Sequence, residues 1–168
     1  TVSTAVKIFS QKFRRPRGLY IAYEDRDNIE EILDNRSYSD IDLIVVTDGE
    51  GVLGIGDQGV GAMDIPIAKL AVYTVLGGIN PNRTLPITLD VGTNNTKLLN
   101  NAMYLGWRHE RIRGKAYDEF IDKFVKAVKK KFPGCFLHWE DFGRQNAQRL
   151  LDRYKDEMCT FNDDIQGT

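Results

Sequence analysis

The hydrophobic residues of this chain fall into two kinds of block, which differ in length and spacing. Five short blocks are rich in β-branched and aromatic residues, and residues 41–46 are almost wholly apolar. A continuous apolar block of that length is typical of a parallel strand that is covered on both faces. Strands are therefore predicted over residues 19–23, 41–46, 85–89, 135–139 and 159–161.

The blocks in between are longer, and apolar residues recur in them at helical spacing. The third carries Pro66 in its first turn and ends at Gly77-Gly78, which are common start and stop signals of a helix. Asp27 lies near the expected N-cap of the second. Helices are therefore predicted over residues 4–13, 27–34, 66–76, 115–132 and 145–154.

Strands that alternate with helices predict an α/β domain. We expect three layers: a mostly parallel open sheet with helices on both faces. Ligands of such folds bind beyond the carboxyl ends of the strands. Acidic residues follow four of the predicted strands at that end, namely Asp48, Asp90, Glu140-Asp141 and Asp163-Asp164.

Composition and charge narrow the class of protein. The 168 residues suffice for one domain, and 42% hydrophobic with 28% charged residues is the balance of a soluble globular protein. A net charge of −1 gives no reason to expect nucleic acid. No apolar run approaches the ~20 residues that span a bilayer, so no membrane partner is expected. We expect Cys135 and Cys159 to be reduced, buried thiols in a cytoplasmic protein, rather than a disulfide or a zinc site.

The two acidic pairs are the strongest candidates for a metal site. Glu140 and Asp141 end a predicted strand, and both can reach one ion only where the backbone turns. Asp163 and Asp164 have the same placement after the last predicted strand. Oxygen-only ligands favour Mg²⁺ or Mn²⁺ over Zn²⁺. The alternative is an exposed acidic step that caps the next helix.

Lys69 is the only charged residue between Asp64 and Arg83. An ammonium in apolar surroundings either extends to water or pairs with a carboxylate. If it is partly buried near a metal, its pKa falls and it can act as a general base. A lysine that only extends to solvent remains the alternative.

The stretch Gly54-Ile55-Gly56-Asp57-Gln58-Gly59 has the form GxGxxG between a strand and a helix. A dinucleotide pyrophosphate could lie there, but Asp57 would repel phosphate. We favour a tight loop that approaches the substrate or packs on the helix. His138 is expected to be an interior histidine with satisfied hydrogen bonds rather than a catalyst.

Six phrases spread along the chain closely resemble the malic enzymes, in the same order. The related malolactic enzymes share most of them. These phrases are VVTDGE (45–50), LGIGD (53–57), KLAVYT (69–74), LDVGTNN (89–95), WEDF (139–142) and FNDDIQGT (161–168), and RRPRGLY (14–20) belongs to the same pattern.

The resemblance implies oxidative decarboxylation of L-malate to pyruvate and CO₂ with NAD(P)⁺ and Mn²⁺ or Mg²⁺. It implies that Glu140, Asp141 and Asp164 are the metal ligands, that Lys69 is the general base, and that Asp163 orients this lysine. It also implies a homo-dimer or homo-tetramer, with residues 14–20 as a candidate subunit contact.

Departures from the family pattern shape the domain prediction. The general-acid tyrosine of the family would lie upstream of Thr1, and its nucleotide-binding domain would follow Thr168. We therefore expect residues 1–168 to be a malic enzyme N-terminal domain that is incomplete at its N-terminus and inactive alone. Many animal relatives have an arginine, which holds the substrate carboxylate, where this chain has Gly51. A malolactic enzyme, or a non-catalytic metal- or dicarboxylate-binding fragment, remains the alternative.

Overall fold

A parallel sheet flanked by helices forms the framework of this computed structural model, which describes residues 1–12, 17–37 and 39–167. The strands are β1 (Leu19–Ala22), β2 (Leu43–Thr47), β3 (Thr84–Asp90), β4 (Phe136–Trp139) and β5 (Thr160–Asn162). The helices are α1 (Val2–Lys7), α2 (Ile29–Asp34), α3 (Asp64–Gly77), α4 (Thr96–Leu99), α5 (Gly114–Lys131), α6 (Arg144–Tyr154) and α7 (Asp163–Gln166).

The five strands of the described chain lie in the order β1-β3-β2-β4-β5, and every neighbouring pair is parallel. At least one helix separates each strand from the next along the chain, as parallel pairing requires. The predicted three-layer α/β fold is confirmed. The carboxyl ends of these five strands therefore lie at the same end of the sheet.

The two faces of the sheet bury different helices. Alternate residues of β2, Ile44 and Val46, join the large core formed with α2, α5 and α6. Leu43 and Val45 point to the other face and pack with Leu70 of α3. Because both faces of β2 are covered, all five of its residues are buried, which explains the run of apolar residues from Leu43 to Val46.

Helix α3 has the ends that the sequence predicts. Pro66 lies in its first turn, and Gly78 caps it in the left-handed conformation at φ 69°. With the preceding 3-10 turn it forms one helical stretch, Gly59–Gly77, that could cross a membrane by length and composition. This is weak evidence, since core helices of soluble proteins pass the same test. This helical stretch nevertheless corrects the expectation that no apolar segment approaches the length needed to span a bilayer.

Three local predictions need correction. The helix predicted over 4–13 ends at Lys7 and continues as a 3-10 turn, Phe9–Gln11, while residue 13 lies outside the described residues. The helix predicted over 27–34 begins at Ile29 with Asn28 as its N-cap, and Asp27, which precedes this cap, accepts a hydrogen bond from Lys123. Cys135 is buried as expected, but Cys159, just before edge strand β5, is exposed.

Part of one predicted contact lies outside the described residues. The candidate subunit contact at 14–20 includes Arg14, Arg15 and Pro16, and these three residues lie outside the described residues.

Candidate active site

The acidic residues after β4 and β5 meet beside α3. Successive strand residues alternate between faces, so His138 and Glu140 both project to the α3 face. Asp141 leaves this alternation, since its φ of 55° lies in the left-handed region, which aspartate tolerates better than most residues. Its carbonyl accepts a hydrogen bond from the Gly51 amide at 3.0 Å. The turn allows the Asp141 carboxylate to join that of Glu140.

Lys69 lies at the centre of this group. Its Nζ is 3.2 Å from Oε1 of Glu140 and 3.2 Å from Oδ2 of Asp163. The Lys69 side chain is 29% exposed, whereas that of Glu140 is 9% exposed. The ammonium therefore pairs with carboxylates at the carboxyl end of the sheet and does not simply extend to water. We call Lys69, Glu140, Asp141, Asp163 and Asp164 the acidic site.

Two carboxylates of the acidic site have raised pKa values. Burial, followed by repulsion from Glu140 and Asp164, raises the pKa of Asp141 to about 7. Burial also raises the pKa of Asp164 to about 6, with repulsion from Glu140 and Asp163, although the Phe142 amide donates to its Oδ2 at 3.1 Å. Negative charge is therefore in excess here.

The donor set fits a hard divalent cation. Of the four carboxylates, those of Glu140 and Asp163 contact the ammonium of Lys69. Oxygen donors that repel one another are the ligands that Mg²⁺ or Mn²⁺ would draw together. Beyond burial, the charge of Glu140 helps to raise the pKa of Asp141 and that of Asp164, so the three ligands that the resemblance implies lie near one another.

A second grouping overlaps the predicted ligand set. Among the described residues, one ligand atom each of His138, Glu140 and Asp163 lies within 4.8 Å of the other two. Nε2 of His138 is 2.5 Å from Oε2 of Glu140, which is hydrogen-bond distance. Since Lys69 already joins Glu140 to Asp163, this grouping is better described as a lysine held between two acids.

The pKa of Lys69 departs from the sequence expectation. Burial lowers it, but the charge of Glu140 and the hydrogen bond to Asp163 outweigh burial, so the pKa is raised rather than lowered. The sequence expectation of a lowered pKa rests on burial near a metal. The carboxylates beside this amine instead favour its charged form. Lys69 Nζ therefore carries a proton in this arrangement.

The interior histidine has the hydrogen bonds that the sequence predicts. His138 is 1% exposed, and its Nδ1 lies 2.8 Å from the hydroxyl of Tyr73. Its other ring nitrogen contacts Glu140, a contact that sequence reasoning missed. The available signal was the spacing of two residues at the end of a strand, since it places both side chains on one face.

A second buried charge cluster, which sequence reasoning also missed, lies beyond β2 and β3. The Arg111 side chain is 1% exposed and donates to both carboxylate oxygens of Asp57, at 2.7 and 2.9 Å. It also donates to the carbonyl of Asp48 at 2.8 Å. The hydroxyl of Tyr117 donates to Oδ2 of Asp48 at 2.8 Å. We call Arg111, Asp48, Asp57 and Tyr117 the arginine cluster.

The glycine-rich loop packs against protein. Asp57 accepts hydrogen bonds from Arg111, from the Thr93 hydroxyl at 2.7 Å and from the Asn94 amide at 2.9 Å. A Cβ on Gly59 would lie 2.0 Å from the hydroxyl oxygen of Tyr104. These contacts agree with the packed loop that we favoured over a pyrophosphate site.

Gly51 brings this loop close to the acidic site. A Cβ at this position would lie 2.5 Å from the carbonyl oxygen of Phe142. Because that neighbour is backbone, any side chain here requires the loop to move. The chain thus has no room, in this conformation, for the arginine that many relatives carry.

Two cavities that the structure describes lie elsewhere. One of about 820 Å³ lies between α3 and strands β1 and β3, and one of about 510 Å³ is lined partly by Met63, Asp64 and Asp90. Neither includes Lys69 or its carboxylates. The acidic site is recognised here by its charges.

Comparisons with known proteins agree with this geometry. The family model "Malic enzyme, N-terminal domain" matches residues 1–155. The chain is 57% identical over all 168 residues to NAD-dependent malic enzyme 2 of Photobacterium profundum. It is 56% and 55% identical, over the same length, to the NAD-dependent malic enzymes of Erwinia tasmaniensis and Proteus mirabilis. It covers 30% of the length of each of these relatives. The chain therefore belongs to the malic enzyme family, in the region of its N-terminal domain.

Proposed function

We propose that the full-length protein that carries this chain oxidatively decarboxylates L-malate to pyruvate and CO₂, with NAD(P)⁺ and Mn²⁺ or Mg²⁺. The observation that carries the proposal is the position of Lys69, 3.2 Å from both Glu140 and Asp163 and beside two carboxylates with raised pKa values. An amine held next to an excess of carboxylates suits proton transfer beside a divalent cation. The names of the NAD-dependent relatives support the reaction.

The residues of the acidic site divide into two roles. Glu140, Asp141 and Asp164 would hold the cation. When bound, the cation supplies Lewis-acid stabilisation of the negative charge that develops on the substrate oxygen. With a cation bound to Glu140, less negative charge would favour the ammonium of Lys69, so Nζ would be neutral and would take the proton of the malate hydroxyl. Asp163 keeps that nitrogen in place through its contact at 3.2 Å.

Further parts of the reaction depend on residues beyond this chain. Since the chain covers 30% of the length of its relatives, we assign NAD(P)⁺ binding mainly to the remainder of the protein. We extend the proposal to a cytoplasmic homo-dimer or homo-tetramer that acts on a small molecule. The oligomer is measurable by analytical ultracentrifugation of the full-length protein.

The base role is tested by Lys69→Ala in the full-length protein. General-base catalysis contributes about 10²- to 10⁴-fold, so we expect kcat to fall by this factor. Mn²⁺ affinity should remain nearly intact, because Lys69 is not a proposed ligand. Normal turnover in this variant would rule out the base role. Lys97→Ala, which changes an exposed lysine elsewhere, is the control for the loss of a charge.

Product analysis separates this proposal from a second candidate. The related malolactic enzymes share most of the sequence phrases that carry the resemblance, so malolactic activity is the second candidate. Malic enzyme activity gives pyruvate with net NADH, whereas malolactic activity gives lactate without it. Metal or malate binding without turnover by the full-length protein would favour a non-catalytic binding module.

A further inference from the structure

A partly buried line of hydrogen bonds runs from Tyr73 through His138 to Glu140 of the acidic site. The hydroxyl of Tyr73 is 2.8 Å from Nδ1 of His138, and Nε2 of His138 is 2.5 Å from Oε2 of Glu140. The other oxygen of Glu140, Oε1, lies 3.2 Å from Nζ of Lys69. Each oxygen of this carboxylate therefore has its own partner, one buried and one at the site.

Local structure holds the histidine ring in place. The ring meets Tyr73 edge-on, with centroids 5.6 Å apart at 90°, and Phe161 at 5.3 Å and 62°. Tyr73 follows Lys69 by four residues on α3, so both project from the same side of the helix. One helix thus supplies both ends of the line, while β4 supplies its middle.

We propose that His138, supported by Tyr73, is a positioning residue that fixes the Glu140 carboxylate with Oε1 towards Lys69 and the cation. This inference rests on the proposed function. An ionised carboxylate only accepts hydrogen bonds, so Nε2 of His138 donates to Glu140 and Nδ1 accepts from the Tyr73 hydroxyl. Hydrogen-bonded partners of this kind orient metal-binding side chains and strengthen metal binding.

The same geometry argues against His138 as a ligand itself. Both of its ring nitrogens already have partners, at 2.8 and 2.5 Å. Removing the ring nitrogens would leave Oε2 of Glu140, a residue that is 7% exposed, without the partner it has here. The carboxylate would then be free to rotate away from Lys69.

The test is a titration of the full-length protein with Mn²⁺ in the absence of substrate. Electron paramagnetic resonance measures the binding. Glutamine places an amide nitrogen near the position of Nε2, asparagine places its polar atoms near Nδ1, and phenylalanine keeps only the ring. We expect His138→Phe and His138→Asn to weaken Mn²⁺ binding about 10-fold, the lower end of the range for disturbed metal surroundings. His138→Gln should bind close to the wild-type value. Tyr73→Phe should have a smaller effect in the same direction.

The outcomes separate this inference from the proposed function. If the wild type binds Mn²⁺ and Lys69→Ala loses turnover, unchanged binding by His138→Phe overturns only the positioning role. An equal loss in the Phe, Asn and Gln variants, each shown to be folded by near-UV circular dichroism, indicates a merely structural role and also overturns it. A directly coordinated nitrogen in the spin-echo spectrum would make His138 a ligand and overturn it as well. No Mn²⁺ binding by the wild type would remove the metal part of the proposed function, and this inference with it.

Discussion

The acidic site and the arginine cluster lie at the same end of the sheet, yet Asp57, which pairs with Arg111, differs from the partly buried carboxylates of the acidic site. In the arginine cluster, a guanidinium that is 1% exposed makes two hydrogen bonds to Asp57. Burial alone would raise the pKa of Asp57, but Arg111 outweighs burial and lowers it. In the acidic site, burial and mutual repulsion raise the pKa values of Asp141 and Asp164.

This difference separates a structural use of charge from a functional one. A guanidinium is permanently charged and matches a carboxylate with a planar pair of donors, so it suits a fixed buried pair. The ammonium of Lys69 is a compact charge 3.2 Å from two acids and is partly open to solvent. A site with surplus negative charge and an amine that can exchange a proton suits ligand binding and catalysis better than stability.

The loop between the two clusters connects them physically. Asp48, at its start, and Asp57, near its end, both contact Arg111. Between them, the amide of Gly51 donates to the carbonyl of Asp141. The arginine cluster therefore anchors the segment that contacts the turn of the acidic site.

The largest expected effect is on stability, from Arg111→Met. Removing one partner of a buried ion pair leaves the other charge uncompensated, which costs about 3–5 kcal/mol. We expect the free energy of unfolding, measured by urea denaturation, to fall by this amount. Arg113→Met is the control, since its pair with Glu50 is more exposed and should cost at most about 1 kcal/mol. Equal losses in both variants would contradict the structural role of the arginine cluster.

The sequence predicted the sheet better than the contacts within the site. Almost wholly apolar blocks such as 41–46 and the alternation with helices were enough to predict parallel strands and the end of the sheet where the acids meet. Arg111 was missed because it lies between α4 and α5, in a segment without periodicity, and its partners are 54 and 63 residues away. The link from His138 to Tyr73 was missed because the register of a helix over a sheet depends on packing, which no local spacing encodes.

A second prediction concerns the acidic site and has the opposite sign for stability. Asp141→Asn removes a repelled charge, and asparagine also tolerates the left-handed backbone that this position requires. Without metal, the Tm of the full-length variant should equal or exceed that of the wild type. Its Mn²⁺ affinity should fall at least about 10-fold, so the rise in Tm on adding Mn²⁺ should shrink.

Asp48→Asn is the matched control for that experiment. It changes a buried aspartate of the arginine cluster in the same way, and it should lower Tm while leaving the response to Mn²⁺ unchanged. Differential scanning fluorimetry with EDTA and with Mn²⁺ measures both quantities. A metal response that Asp141→Asn leaves intact would exclude Asp141 as a ligand.

The smallest effect is expected at exposed pairs, which show whether a cationic partner or burial decides the behaviour of a carboxylate. The hydrogen bond from Lys123, followed by its charge, lowers the pKa of Asp27 at the surface. The folded state then binds fewer protons than the unfolded state near pH 3.8, so this contribution is present above that pH and is lost as the pH falls through the folded-state pKa. By contrast, burial raises the pKa of Asp48 although Arg111 is beside it. Lys123→Met should therefore show a slightly smaller drop in Tm between about pH 5 and pH 3 than the wild type.

Lys126→Met is the matched control. It removes the same charge from the same helix, where Lys126 has no ion pair among the described residues, and its acid response should match the wild type. If the two variants respond alike, net charge rather than pairing governs the surface, and the contrast drawn here belongs to the buried clusters alone.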